Sequence, residues 1–242
     1  MRGKTTLKKW VAAISLTILG GGMSACADGT SWKEEVLLHD GKKLIVERSQ
    51  SYGGRHELGQ KPPIKEQKLT FTLPGSNRSI TWKSEYSEDI GRVNLNLLAL
   101  HVLNGTPYIV AEPNLCLAYN KWGRPNPPYV FFKYDGKVWQ RIPLSAFPTQ
   151  FKDVNVVVNS LGAAREGTIV ETKLIAAEKV RELNSRLWRY PNEQLQYKTI
   201  PREPTKAHPD SIVSCEELVY YKGAWVGPGD SIGRRMMDRM TK

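Results

Sequence analysis

The 242-residue chain is poor in the side chains that build metal and nucleophilic centres, with three cysteines and four histidines. No C-x-x-C pair occurs. The histidines, His39, His56, His101 and His208, stand apart with no i,i+4 or H-x-H spacing. Tetrahedral metal sites draw on such clustered ligands, so no metal is expected and no cofactor motif is present. Repeats of 20–50 residues and low-complexity segments are also missing, which excludes a solenoid array. Paired acids are few as well. Glu34-Glu35 and Glu216-Glu217 are adjacent, and neighbours on a strand point to opposite faces, so neither reads as a general acid/base pair. These absences leave no catalytic constellation and predict a protein that is not an enzyme.

The chain start is more informative. Residues 1–10 carry Arg2, Lys4, Lys8 and Lys9 without an acid, and "VAAISLTILGGGM" continues uncharged for 13 residues. Small Ser24 and Ala25 follow. A basic segment, a short apolar segment and small residues before a cut describe an export signal. The apolar run falls short of the roughly 20 residues that a spanning helix requires. Met23-Ser24-Ala25-Cys26 resembles the lipobox of bacterial lipoproteins, with Met23 where leucine is usual. That resemblance implies removal of residues 1–25 and acylation of Cys26. Each buried CH2 of the acyl chains contributes about 0.8 kcal/mol, and several chains together hold a protein firmly on a bilayer. Ala27 rather than aspartate follows the cysteine, which by the enterobacterial sorting pattern implies the outer membrane, facing the periplasm.

Assigning Cys26 to lipid leaves Cys116 and Cys215, either as a disulfide in an oxidising compartment or as two buried thiols. A bond would close 215 − 116 = 99 residue steps. The formal net charge is +11, of which the four basic residues of the signal carry +4, leaving +7. The basic residues are spread along the chain. No nucleic-acid partner is expected for an exported chain. An acidic protein, anionic headgroups or glycans fit the charge better, and solubility alone also explains it.

Turn signals recur. "VLLHDGKKLIVE" is expected to turn at Asp40-Gly41, "VFFKYDGKVWQRI" at Asp135-Gly136 and "LVYYKGAWVG" near Lys222-Gly223. Two-residue turns would pair Leu37 with Leu44, Phe132 with Trp139 and Val219 with Val226. Further strands are expected at 68–73, 79–84, 96–103, 107–112, 115–119 ("LCLAY") and 154–159 ("VNVVVN"). A helix is predicted over 171–188, with Ala176, Val180, Leu183 and Leu187 as its apolar stripe and Glu182–Arg186 as an outer pair. A shorter helix is expected to start at Asp230 or Ser231. The expected fold is mainly β, made of antiparallel hairpins in a sandwich- or barrel-like arrangement, with one docked α-helix and a short C-terminal helix. The expected organisation is a signal peptide at 1–25, a lipidated linker at 26–35 and a single β-rich periplasmic domain at 36–242.

Two stretches are functional candidates. "YNKWGRPNPPYVFFKYDG" sets Trp122, Arg124 and Tyr129 around a loop stiffened by Pro125, Pro127 and Pro128. A rigid loop carrying aromatics and an arginine can form a binding hot spot. Inward packing of Trp122 with Arg124 stacked on it is the alternative. In "GPGDSIG" (227–233), Gly-Asp-Ser resembles the nucleophile block of GDSL esterases and of chymotrypsin-like proteases. No histidine follows Ser231, and none upstream has the protease context, so a helix-capping role competes.

The blocks "NKWGRPNPPYVFFKYDG", "IPLSAFP" and "VSCEELVYYKGAWVGPGDSIG" resemble an exported proteobacterial family with no assigned activity. That resemblance implies a family extending over much of the chain and lends no catalytic residue. Three functions remain from sequence: an envelope lipoprotein that binds another protein, such as an immunity-type inhibitor of a periplasmic toxin; a binder of envelope polyanions or glycans; and a hydrolase using Ser231.

Overall fold

The structure is a computed structural model that describes residues 29–84, 86–158, 174–187, 199–204 and 215–240. Cys26 and the expected signal peptide lie outside the described residues. Strands β1 (Gly29–Leu37), β2 (Lys43–Tyr52), β3 (Ile64–Thr72) and β4 (Ser79–Ser84) form one antiparallel meander. Residues 29–35, expected as linker, are therefore most of β1. A small pair, β5 (Tyr86–Ser87) and β6 (Arg92–Val93), leads into the second meander. That sheet has the order β10-β9-β8-β7, from β7 (Leu95–Leu103), β8 (Thr106–Pro113), β9 (Val130–Tyr134) and β10 (Trp139–Ile142).

The two sheets share a core, so the fold is a mainly β sandwich and not a closed barrel. Val36, Val46, Leu69, Phe71 and Trp82 of the first sheet pack with Leu97, Leu100, Ile109 and Phe132 of the second. The Trp82 and Phe132 rings meet edge-on at 6.1 Å across the layer. The second sheet is buried on both faces. Its other side (Leu98, Ala99, Tyr108, Val110 and Phe131) is covered by Phe147, Phe151, Val154 and Ile200. Strands buried on both sides read as continuous apolar runs, which is why "NLLALHVL" shows no alternation. A register shift between Leu97 and Ala99 adds one residue, so Leu98 and Ala99 both serve the outer cluster.

The hairpins separate two kinds of turn. Val219 pairs with Val226 as expected, through a two-residue turn in which Lys222 and Gly223 take φ 43° and 91°. Both Asp-Gly turns are wider than expected. In the first, Leu38 N–H donates to the Lys42 carbonyl at 2.8 Å and Gly41 takes φ 81°, so Val36, not Leu37, faces Leu44. In the second, the Asp135 carboxylate accepts the backbone N–H groups of Lys137 and Val138, both at 2.8 Å, and draws four residues into the loop. Trp139 then faces Tyr134, and Phe132 faces Arg141.

Two expected strands are not strands. "LCLAY" lies in the helix α1 (Leu115–Lys121), which buries Ala118 and Tyr119. Five apolar residues fit either element, and length alone misleads here. The described part of "VNVVVN" belongs to no sheet. It places Val154, Val156 and Val157 in three different apolar clusters. The Asn155 carboxamide holds it, accepting Leu100 N–H at 3.0 Å and donating to the carbonyls of Leu100 at 2.7 Å and Leu37 at 3.0 Å. One side chain thus joins β7 to the end of β1. Asn184 acts likewise, donating to the Val156 carbonyl and accepting Val158 N–H.

Asn184 belongs to α2 (Ala177–Ser185), shorter than the expected 171–188, of which 171–173 and 188 lie outside the described residues. Ile175 forms a parallel bridge to Glu34 instead of a helical turn, and the Glu35 carboxylate receives the Ala177 N–H at 3.2 Å. That start exposes Ala176 and buries Ala177, while Val180 and Leu183 are buried as expected and Leu187 is half-buried. The Glu182–Arg186 pair is present.

Candidate binding surface

The proline-rich loop follows α1 and is tied back to it. Trp122 is half-buried and packs on the shared core, its ring edge-on to Phe132 at 6.0 Å. Arg141 of β10 lies over that ring at 5.5 Å and donates from Nη2 to the Trp122 carbonyl at 3.1 Å. Tyr129 is 3% exposed and meets Phe131 at 6.2 Å. Arg124 stacks on Tyr119 at 5.1 Å and donates to Asn120 Oδ1. It also donates to the carbonyls of Cys215 at 3.0 Å and Glu216 at 3.2 Å. Of the expected contact trio, Trp122 and Arg124 brace neighbouring segments, while Tyr129, almost fully buried, lines the cleft beside them.

Arg124 fastens the C-terminal segment, and so does a covalent bond. Cys116 and Cys215 form a disulfide with Cα atoms 5.2 Å apart. Asn120 adds donation to the Glu216 carbonyl and acceptance from Leu218 N–H. The hairpin of β11 (Val219–Tyr221) and β12 (Ala224–Val226) follows. Its Trp225 donates from Nε1 to the Asp89 carbonyl at 2.9 Å. Burial opposes the charge on Asp89, but the Lys121 ammonium at 2.8 Å outweighs it and holds the carboxyl below its ordinary range.

The surface that sequence reasoning missed opens beside this brace. A cleft of about 430 Å³ lies between Pro125 and Pro127 of the loop and the end of β10 with the residues that follow it (Arg141, Ile142, Pro143 and Leu144), over Tyr129 and Phe131. Prolines fix its near wall. The signal was the short "RIPL" run, in which apolar residues end a strand at a proline while an arginine stays at the exposed edge.

The final helix, α3 (Ser231–Met240), is packed against β12. The Asp230 carboxylate accepts Gly233 N–H at 2.7 Å, so Asp230 caps it as expected. Ser231 sits in the exposed first turn, and no hydrogen bond among the described residues joins its hydroxyl to a histidine or carboxylate. His39 and His101 flank the Phe151 ring, His56 bonds the Gly54 carbonyl, and His208 lies outside the described residues. Among the described residues, no three or more His, Cys, Asp or Glu side chains converge on one point, and no helix is long and apolar enough to cross a membrane. No protein-family model, curated protein or solved structure matches the chain.

Proposed function

We propose that the chain is a non-enzymatic binding module of the bacterial envelope, lipid-anchored at Cys26 in the outer membrane and facing the periplasm. It takes a protein partner in the cleft between the proline loop and Ile142–Leu144. An immunity-type inhibitor of a periplasmic toxin is one concrete form. The preorganisation of the cleft carries this reading. Its walls are prolines, aliphatic side chains and the Tyr129 and Phe131 rings, with Asn126 beside them, and its guanidinium, Arg141, is already held by the Trp122 ring and carbonyl. Little conformational freedom is left to lose on association, so the contact energy goes into affinity. A partner loop presenting an apolar side chain beside a carboxylate fits this chemistry.

The test uses residues 27–242, which contain every described element, as bait against detergent-solubilised envelope at low and high salt. The wild type is expected to retain one protein stoichiometrically at high salt. Ile142→Arg is expected to weaken it about thirty-fold, the loss of one hot-spot contact. Retention of many species at low salt alone would favour the polyanion or glycan reading, and phosphonate labelling abolished by Ser231→Ala would favour the hydrolase. Release of full-length Cys26→Ser from the membrane pellet tests the anchor separately.

A further inference from the structure

Helix α3 has its polarity reversed. A docked helix buries its apolar stripe, yet α3 buries no residue. Ile232, Met236 and Met240, at i, i+4 and i+8, form one stripe and are 66%, 57% and 75% exposed. The less exposed side carries charged Arg234 and Asp238 beside the half-buried Met237. Asp238 accepts from the Tyr221 hydroxyl at 2.9 Å and pairs with Lys222 at 2.6 Å. Arg234 lies over the Tyr221 ring at 5.7 Å and donates to the Pro228 carbonyl. Hydrogen bonding to Lys222, then to Tyr221, holds the Asp238 carboxyl below its ordinary range, so the clamp stays ionised at neutral pH.

The chemistry of the outer face selects its occupant. On a 100° wheel, Arg235 and Arg239 fall immediately beside the Ile232–Met236–Met240 stripe, and both are exposed. No acid shares that face: Asp238 is turned to the hairpin. An apolar stripe edged by arginines matches a surface that is oily within and negatively charged at its boundary. The geometry points to an anionic phospholipid bilayer as the occupant, with α3 lying in the headgroup layer as a contact separate from any lipid on Cys26. A ten-residue helix is marginal alone in water. Here the Tyr221–Asp238–Lys222 clamp, the Asp230 cap and the disulfide-held hairpin present it already formed.

Co-sedimentation of residues 27–242 with phosphatidylglycerol-containing and pure phosphatidylcholine vesicles tests this. The fragment carries no acyl chain, so its outcome is independent of lipidation at Cys26 and of the Ile142 cleft. The wild type is expected to bind the anionic vesicles, to release them in 0.5 M salt and to ignore phosphatidylcholine. Arg235→Gln with Arg239→Gln is expected to weaken binding about 25-fold, roughly fivefold for each arginine near an anionic surface. Ile232→Ser, Met236→Ser and Met240→Ser together remove the apolar stripe and should abolish pelleting, with circular dichroism unchanged because all three side chains are exposed. No binding to anionic vesicles, or binding that the triple-serine variant retains, overturns the proposal. Loss of a captured protein in that variant while vesicle binding is unchanged would assign the face to a protein instead.

Discussion

Replacing Glu34 with alanine is expected to lower the unfolding free energy by about 3–5 kcal/mol, as when one partner leaves a buried ion pair. Glu34 of β1 and Arg48 of β2 pair diagonally across the two strands at 2.9 Å, with side chains 0% and 1% exposed, Arg48 standing opposite Trp32 and Glu34 opposite Val46. Trp32 donates from Nε1 to the same carboxylate at 2.8 Å, Val157 N–H approaches it at 3.3 Å, and the Arg48 guanidinium lies 5.1 Å from the Trp32 ring centre. Alanine would leave a buried guanidinium without its counter-charge and two N–H groups without an acceptor. A domain with ordinary stability of about 5–15 kcal/mol would lose a large share of it. Urea unfolding checks this: the midpoint should fall while the slope stays constant. Glu66 supplies the contrast, since it sits between the half-exposed Lys68 and Lys83 on the outer face of the same sheet. Glu66→Ala should cost no more than about 1 kcal/mol. Equal losses at the two sites would show that water reaches Arg48 in the variant.

Stability is expected to fall by about 3 kcal/mol between pH 6.5 and pH 4 because of one imidazole. His101 is 1% exposed, stacked on Phe151 at 4.5 Å and hydrogen-bonded from Nε2 to the Asp153 carbonyl. That bond makes Nε2 the protonated nitrogen, and a second proton would enter at Nδ1, which is buried without an acceptor. Burial, reinforced by His39 beyond Phe151, outweighs the help from Asp153 and takes its pKa from 6.5 to about 4. The unfolded chain therefore binds the extra proton first. The contribution is complete above pH 6.5 and declines as pH falls towards 4. Carboxylates held low by their partners, such as Glu66 and Asp89, lose their contributions at lower pH, below the ordinary carboxylate range. Unfolding free energies across this window should flatten in His101→Gln, which keeps an N–H donor for Asp153. An unchanged slope in the variant would assign the effect elsewhere.

Much of the sandwich is readable from alternation alone. On β2 the step of two from Leu44 through Val46 places Arg48 inside, whereas on β1 the expected pairing of Leu37 with Leu44 turns Glu35 inward, and it is Glu34, with Trp32 and Val36, that is buried. What local pattern could not show was that the two charges meet, because pairing depends on a turn one residue wider than its Asp-Gly implied. The same limit explains "VNVVVN". Its valines look like a strand, but the backbone of Val156 and Val158 bonds the Asn184 side chain and Val157 N–H approaches the Glu34 carboxylate, and no local signal announces that. In the candidate site, Arg124 was legible as important and illegible in role. Its partners are the carbonyls of Cys215 and Glu216, some 90 residues away. The cysteine pair was readable because counting thiols needs no geometry.

The Cys116–Cys215 bond also changes what proteolysis can do. A single cut anywhere from 117 to 214 yields two polypeptides, yet the bond keeps the piece carrying the hairpin and α3 attached to the piece carrying α1. The nicked protein would migrate as one species until a reductant is added, and only then part into two bands. Damage to the connecting backbone would not by itself detach the C-terminal surface.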